Sequence, residues 1–206
     1  MATATSFQAG DLPAMASRDQ SMVVRGVSWR DYVILREAID TPGLKLTYCE
    51  GVLEIMSPSR AHEELKTRVA RLLELYAFLF KLPMNGYGST TFRREAKQRG
   101  AEPDECWCIG PAMAEGAFPD IVLEVIQSNP VLDKLDVYDG FEVPEVWLIV
   151  DGDLQVHVRR GEGGYARSTG SPHLPELDLE LLMRFASRTD HPTALQDFAA
   201  ALGRPR

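Results

Sequence analysis

Cysteine is scarce in this chain, with three in 206 residues. Two of them, Cys106 and Cys108, stand too close to bridge along a strand and lack the second pair that a two-loop zinc site needs. All three read as buried thiols, and a disulfide scaffold is excluded. Long apolar runs are absent as well. No stretch approaches the 18 or so residues of a membrane span, and the N-terminus lacks the basic-then-apolar order of a secretory leader, so cytoplasmic residence is expected. Basic residues are in deficit, 22 Lys and Arg against 30 Asp and Glu, for a net charge of −8. That balance excludes unspecific coating of nucleic acid, which depends on neutralising phosphates, and leaves room for a local basic cleft or a metal-bridged phosphate. Repeats are missing too. What is present is an ordinary globular composition, 45% apolar and 25% charged, enough for one full core. Residues 1–22, rich in Ala, Ser, Thr and Gln, read as a disordered tail, and 23–206 as a single domain.

The periodicities predict an α/β protein. An amphipathic helix is expected over 27–40, with Ser28 as N-cap and the turn Thr41-Pro42-Gly43 ending it. LKLTYCEGVLEIM alternates about Glu50-Gly51 and reads as a hairpin. The longest helix follows Ser59, with Leu65, Val69, Leu72, Leu73, Tyr76 and Leu79 along one face. Two strands are expected between Ser89 and Gly110, the second beginning near Asp104, and antiparallel strands and helical turns after Val150. The order fits one mixed sheet flanked by helices, with an N-terminal hairpin and added C-terminal strands.

The chemistry concentrates between Phe118 and Asp151. Ile121 to Ile126 is an apolar strand broken once by Glu124, and a carboxylate buried there must find a cation, a metal, hydrogen bonds or a proton. After the turn signal Asn129-Pro130, a short helix carrying Lys134 and closed by Gly140 leads to a second apolar strand, Val146 to Val150. The hairpin between the Asp104 strand and the Glu124 strand would set those two acids side by side. Two carboxylates with a lysine nearby suit a hard cation, Mg²⁺ or Mn²⁺, which binds through one or two carboxylates plus a substrate phosphate. Phosphodiester hydrolysis is the chemistry such a group supports, with Lys134 orienting the nucleophile or countering developing charge. The bland alternatives are a turn role for Asp104 after Pro103 and a solvated Lys134 paired with Asp133 or Asp136. Asp120, four residues before Glu124 and about 13 Å away along the strand, is read as structural.

The segments SPSRAHEEL, GSTTFRRE, EPDECWCI, PDIVLEV and DKLDVYDGFEVPEVWLI, in that order, resemble the Uma-type restriction endonuclease family, a branch of the PD-(D/E)XK nuclease superfamily. The likeness runs from Val27 to Arg188. It implies a restriction-endonuclease-like fold and a metal-dependent endonuclease, a hydrolase with DNA as substrate and a homodimer by analogy. Asp104 would be the first metal carboxylate and Glu124 the second. The superfamily lysine stands two residues after that glutamate, where this chain has Ile126; Lys134 on the next helix matches the place to which it has moved. Glu50, before the hairpin glycine, and His62, at the start of the long helix, are accessory candidates. The basic turn Arg93, Arg94, Lys97, Arg99 reads either as a solvated charge run or as a contact to the DNA backbone. A nuclease-like fold that binds nucleic acid or protein without turnover, and a phosphoesterase of small nucleotides, are the competing functions.

Overall fold

The computed structural model describes residues 18–39, 43–127 and 132–203. A first strand, β1 (Gln20–Arg25), precedes helix α1 (Trp29–Ala38) and the hairpin β2 (Lys45–Cys49) and β3 (Val52–Ser57). The long helix α2 (Arg60–Leu79) leads to three short strands, β4 (Met84–Gly86), β5 (Phe92–Arg94) and β6 (Arg99–Ala101), and to β7 (Glu105–Ile109). The central unit is β8 (Ile121–Ile126), α3 (Lys134–Asp139) and β9 (Glu145–Val150), followed by β10 (Asp153–Arg159), β11 (Tyr165–Ser168), α4 (Leu179–Ala186) and α5 (His191–Leu202). No helix among the described residues is long and apolar enough to cross a membrane.

These strands form two sheets where the sequence pattern suggested one. The smaller runs β1-β3-β2-β6-β5 and the larger β11-β10-β9-β8-β7-β4. Only β8 and β9 pair in parallel, as a crossover helix between two strands requires. The reason for the split lies in the hairpin. Leu46, Tyr48 and Leu53 occupy one face and pack with Val27 and Tyr32 beneath α1. Lys45, Thr47 and Glu54 occupy the other face and are nevertheless buried, because that face is covered by the larger sheet and α3. Each face of the hairpin thus belongs to a different layer. Gly100 admits α1 to the small sheet: a Cβ there would lie 2.1 Å from the Tyr32 hydroxyl oxygen.

The larger sheet is buried on both sides. Trp107, Leu123, Val125 and Trp147 meet α2, α4 and α5 in the main core, while Cys106, Val122 and Val146 meet α3, Tyr138 and Phe92 in a second one. Successive residues of β8 therefore alternate between two interiors, and Glu124 falls on the side of α3.

The tail expected over 1–22 lies largely outside the described residues, but its end is structured: Gln20 to Met22 pair with β3 from Ser57 to Ile55. The boundary is corrected to before Gln20. Composition hid this strand because QSMVVR is short and half polar, and its partner is 30 residues away. The proposed turns at Thr41-Pro42 and Asn129-Pro130 lie outside the described residues.

A second buried acid, Glu145 at the start of β9, pins the segment after β11. Its carboxylate accepts from His173 N at 2.8 Å, His173 Nδ1 at 2.6 Å, Ser171 Oγ at 2.7 Å and Trp147 Nε1 at 3.0 Å. Burial raises the Glu145 pKa, but these bonds outweigh it and hold the acid below its ordinary 4.5. The bond to Glu145 lifts His173 above its ordinary 6.5, against a smaller effect of burial. The carboxylate contribution is thus present above pH 4.5 and lost as pH falls through its lower folded value, while the imidazolium contribution is present below 6.5 and lost as pH rises through its higher one. Denaturant unfolding of wild type and His173→Gln should differ most between those limits and converge in alkali; a difference that is flat with pH would show that the imidazole charge contributes nothing.

Candidate active site

Five elements bring polar side chains into the space between the two sheets. Asp104 immediately precedes β7. Continuing the pairing Glu105 to Leu123 places it opposite Glu124, and its N–H donates to Leu123 O at 3.1 Å. The two acids are cross-strand neighbours, with Cβ atoms roughly 5 Å apart. Lys45 enters from the start of β2, His62 from the first turn of α2 and Lys134 from the first residue of α3. Asp104, Glu124 and His62 are at most 1% exposed, Lys134 is 7% exposed and Lys45 8%.

Asp104 is held on every side. Its Oδ1 accepts from Lys45 Nζ, and its Oδ2 accepts from Val125 N at 2.7 Å and faces His62 Nε2 at 2.8 Å. The other ring nitrogen, Nδ1, lies 2.8 Å from Asp19 Oδ2. A carboxylate at each nitrogen requires a proton on each, so His62 is an imidazolium. Its pKa is raised accordingly: burial pulls it down, and the bonds and charges of Asp104 and Asp19 outweigh that. Burial alone would raise Asp104, yet Lys45 and His62 reverse this and hold it well below the usual carboxylate range. For Lys45 the loss of water is likewise outweighed by the charges of Asp104 and Glu124, which lift the ammonium above its ordinary value.

Glu124 is partnered on one oxygen. Oε1 accepts from the Tyr138 hydroxyl and lies 3.3 Å from Lys134 Nζ, which also donates to Thr47 Oγ1 at 3.2 Å. Oε2 has no hydrogen-bond partner among the described residues. Burial, aided by the negative charge of Asp104, pushes the acid up despite Lys134 and Lys45. The Tyr138 phenol, buried beside this carboxylate, is raised well above its ordinary value. A cavity of about 20 Å³ lies over the cluster, lined by Glu124, Lys134, Glu54, Met56, Ser21 and Asp19. It has room for one water-sized group or ion. Beside it, past Val125, Ile126 and Gln127, opens a cleft of about 520 Å³ bounded by Arg18, Leu65, Ile149 and Asp151, at the carboxyl ends of the parallel strands where α/β sheets commonly bind ligands.

The model of the Uma2 family, described as putative restriction endonuclease, matches residues 29–189. The chain belongs to this family. No curated protein matches it. The Uma2 chain is also similar to a crystal structure, at 1.96 Å resolution, of a putative nuclease belonging to DUF820 from Anabaena variabilis ATCC 29413. The identity is 14% and the TM-score 0.50, with 75% of this chain and 98% of that one covered, which establishes a common fold.

Within this Uma2 fold, Asp104, Glu124 and Lys134 meet although 30 residues separate the first from the last, and His62 joins them through Asp104. Glu50 does not. It occupies the hairpin turn with φ 46° and pairs with Arg99 at 3.0 Å, five residues and about 16 Å of strand from Lys45. The turn position is the one the structure shows for it. Asp120 accepts from Ile109 N at 2.7 Å and is structural, as its spacing implied. The basic turn is engaged with its own chain: Arg93 with Glu37 at 3.7 Å, Arg94 with Glu142 at 3.4 Å, and Arg99 with Glu50.

Sequence reasoning missed Asp19, Lys45, Glu54 and Tyr138. Asp19 lay in the supposed tail, and Tyr138 counted as part of the apolar face of α3. Lys45, Thr47 and Glu54 make the polar side of an alternating hairpin. A signal was available in Lys45, a charged residue at the start of a strand whose next polar position is Thr47, but it cannot distinguish a wet face from a buried polar one.

A divalent cation was expected on Asp104 and Glu124. No three His, Cys, Asp or Glu side chains among the described residues form a ready-made shell. The hard oxygen donors suit Mg²⁺ or Mn²⁺. Glu124 Oε2 supplies a hard oxygen with no hydrogen-bond partner among the described residues, beside a cavity of ion size. Asp104 can enter the same shell by exchanging the Lys45 ammonium for the ion.

Proposed function

We propose that the protein is an endonuclease that hydrolyses phosphodiester bonds in DNA with the help of Mg²⁺ or Mn²⁺. The observation that carries this reading is the meeting of Asp104, Glu124 and Lys134 in one buried group beside a cleft large enough for a nucleotide. Membership of a family described as putative restriction endonuclease and the fold shared with a protein titled a putative nuclease support it. Glu124 and Asp104 would hold the ion. Once bound, it would supply positive charge at the scissile phosphate and acidify a coordinated water.

The chain's own groups have distinct tasks. Lys134 donates to Thr47 and is ion-paired with Glu124. An ammonium has three N–H groups, so among the described residues a donor is left for a phosphate oxygen or the attacking water. Tyr138 fixes Glu124 by Oε1 and leaves Oε2 without a hydrogen-bond partner among the described residues. Lys45 and His62 keep Asp104 ionised and in place. The adjoining cleft receives the strand that flanks the cleaved bond.

Supercoiled plasmid incubated with purified protein should be nicked and linearised with Mg²⁺ or Mn²⁺ and left intact with chelator. Intact plasmid under all conditions would overturn the reading. It would favour a binding module without turnover, for which the full set of protein partners on Asp104 is the specific support.

A further inference from the structure

Glu54 has no part in the assignments above. It lies on β3, opposite Thr47 of β2 and Val23 of β1, is 4% exposed and lines the same cavity as Glu124 and Lys134. Its carboxylate has no hydrogen bond or ion pair among the described residues. Buried acids are normally paired, since leaving water without compensation is costly. Every other ionised group here has its counterpart: Asp104 has Lys45, Asp19 has His62, and Glu124 has Lys134. Four carboxylates thus face three cations among the described residues, and the one without a partner lines the cavity.

We propose that Glu54 is a further ligand of the divalent cation, alongside Glu124, in the site between the sheets. The inference rests on the nuclease reading and deepens it by adding a donor from the small sheet to those of the large one. A cation at this wall would answer the unpaired charge of Glu54, and the nearby Glu124 Oε2 offers a second hard oxygen. The position follows from the pairing register, because Glu54 shares a face with Thr47, whose hydroxyl holds Lys134. The small sheet would then contribute directly to the chemistry as well as to the fold, and the ion would tie the two sheets together.

Three measurements on the full chain decide it. In Mn²⁺ titration calorimetry, Glu54→Gln should bind at least about tenfold more weakly than wild type. In chelator, the same variant should melt at or above the wild-type temperature, because an unpaired buried charge has been removed without a change of shape. The rise in melting temperature that Mn²⁺ gives to wild type should be largely lost in the variant. A structural glutamate would give the opposite pattern, a lower melting temperature in chelator with Mn²⁺ affinity preserved, and that result would overturn the proposal. If wild type binds Mn²⁺ and Glu54→Gln binds it equally well, this inference fails while the nuclease reading stands. If wild type binds no Mn²⁺, both fall.

Discussion

Glu124→Gln is expected to slow DNA cleavage by at least about 10²–10³-fold while leaving the fold intact. The side chain keeps its shape and its carbonyl oxygen can still accept from the Tyr138 hydroxyl, so the packing around β8 persists. What disappears is the negative oxygen on the cavity side. An amide is a poor ligand for Mg²⁺ compared with a carboxylate, and Lys134 loses the charge that anchors it at 3.3 Å. A modest net loss of stability is expected: the substitution relieves an acid that burial pushes above its ordinary pKa, but it leaves the buried Lys134 ammonium without its counter-charge. Cleavage of a plasmid under single-turnover conditions, with melting temperatures measured in parallel, checks both halves. A variant that cuts within a few-fold of wild type would remove Glu124 from the reaction.

Asp104→Ala should have a large effect on stability, about 3–5 kcal/mol, the usual cost of leaving a buried charge without its partner. Two cations depend on this carboxylate, Lys45 and His62, and Val125 N loses its acceptor as well. In a domain of this size the loss corresponds to a fall of roughly 6–20 °C in melting temperature. Water entering the vacated space would recover part of it. Urea unfolding of wild type and variant measures the difference. A change below about 1 kcal/mol would mean that Lys45 and His62 find solvent once Asp104 is gone, and that the cluster is far less closed than its burial indicates. Glu124→Gln and Asp104→Ala therefore separate two acids that look alike in the sequence. One has partners on both oxygens, in Lys45, His62 and Val125 N, while the other keeps one oxygen without a hydrogen-bond partner among the described residues.

The larger sheet explains why this division could be anticipated only in part. A buried run such as Ile121 to Ile126 announces its single acid, because a carboxylate among Ile, Val and Leu has few explanations. The short helix after it and the strand Glu145–Val150 followed from apolar spacing and a glycine. The hairpin announces nothing comparable. Lys45, Thr47 and Glu54 alternate with Leu46, Tyr48 and Leu53, as on a sheet with one wet face, and the covering sheet is built from strands that lie between Met84 and Ser168.

Local pattern in the sequence determined the helices, most of the strands and the isolation of Glu124, because each depends on residues a few positions apart. Motif order determined the family. Tertiary structure alone decided that a second sheet folds over the first, since two faces become an interior only when the chain closes. It alone decided that Asp19, Lys45 and Glu54 face Asp104 and Glu124 there, and that one acid is sealed by cations while another is left open. Partnership between charges remote in the chain depends on distance in space, and no spacing along the sequence encodes it.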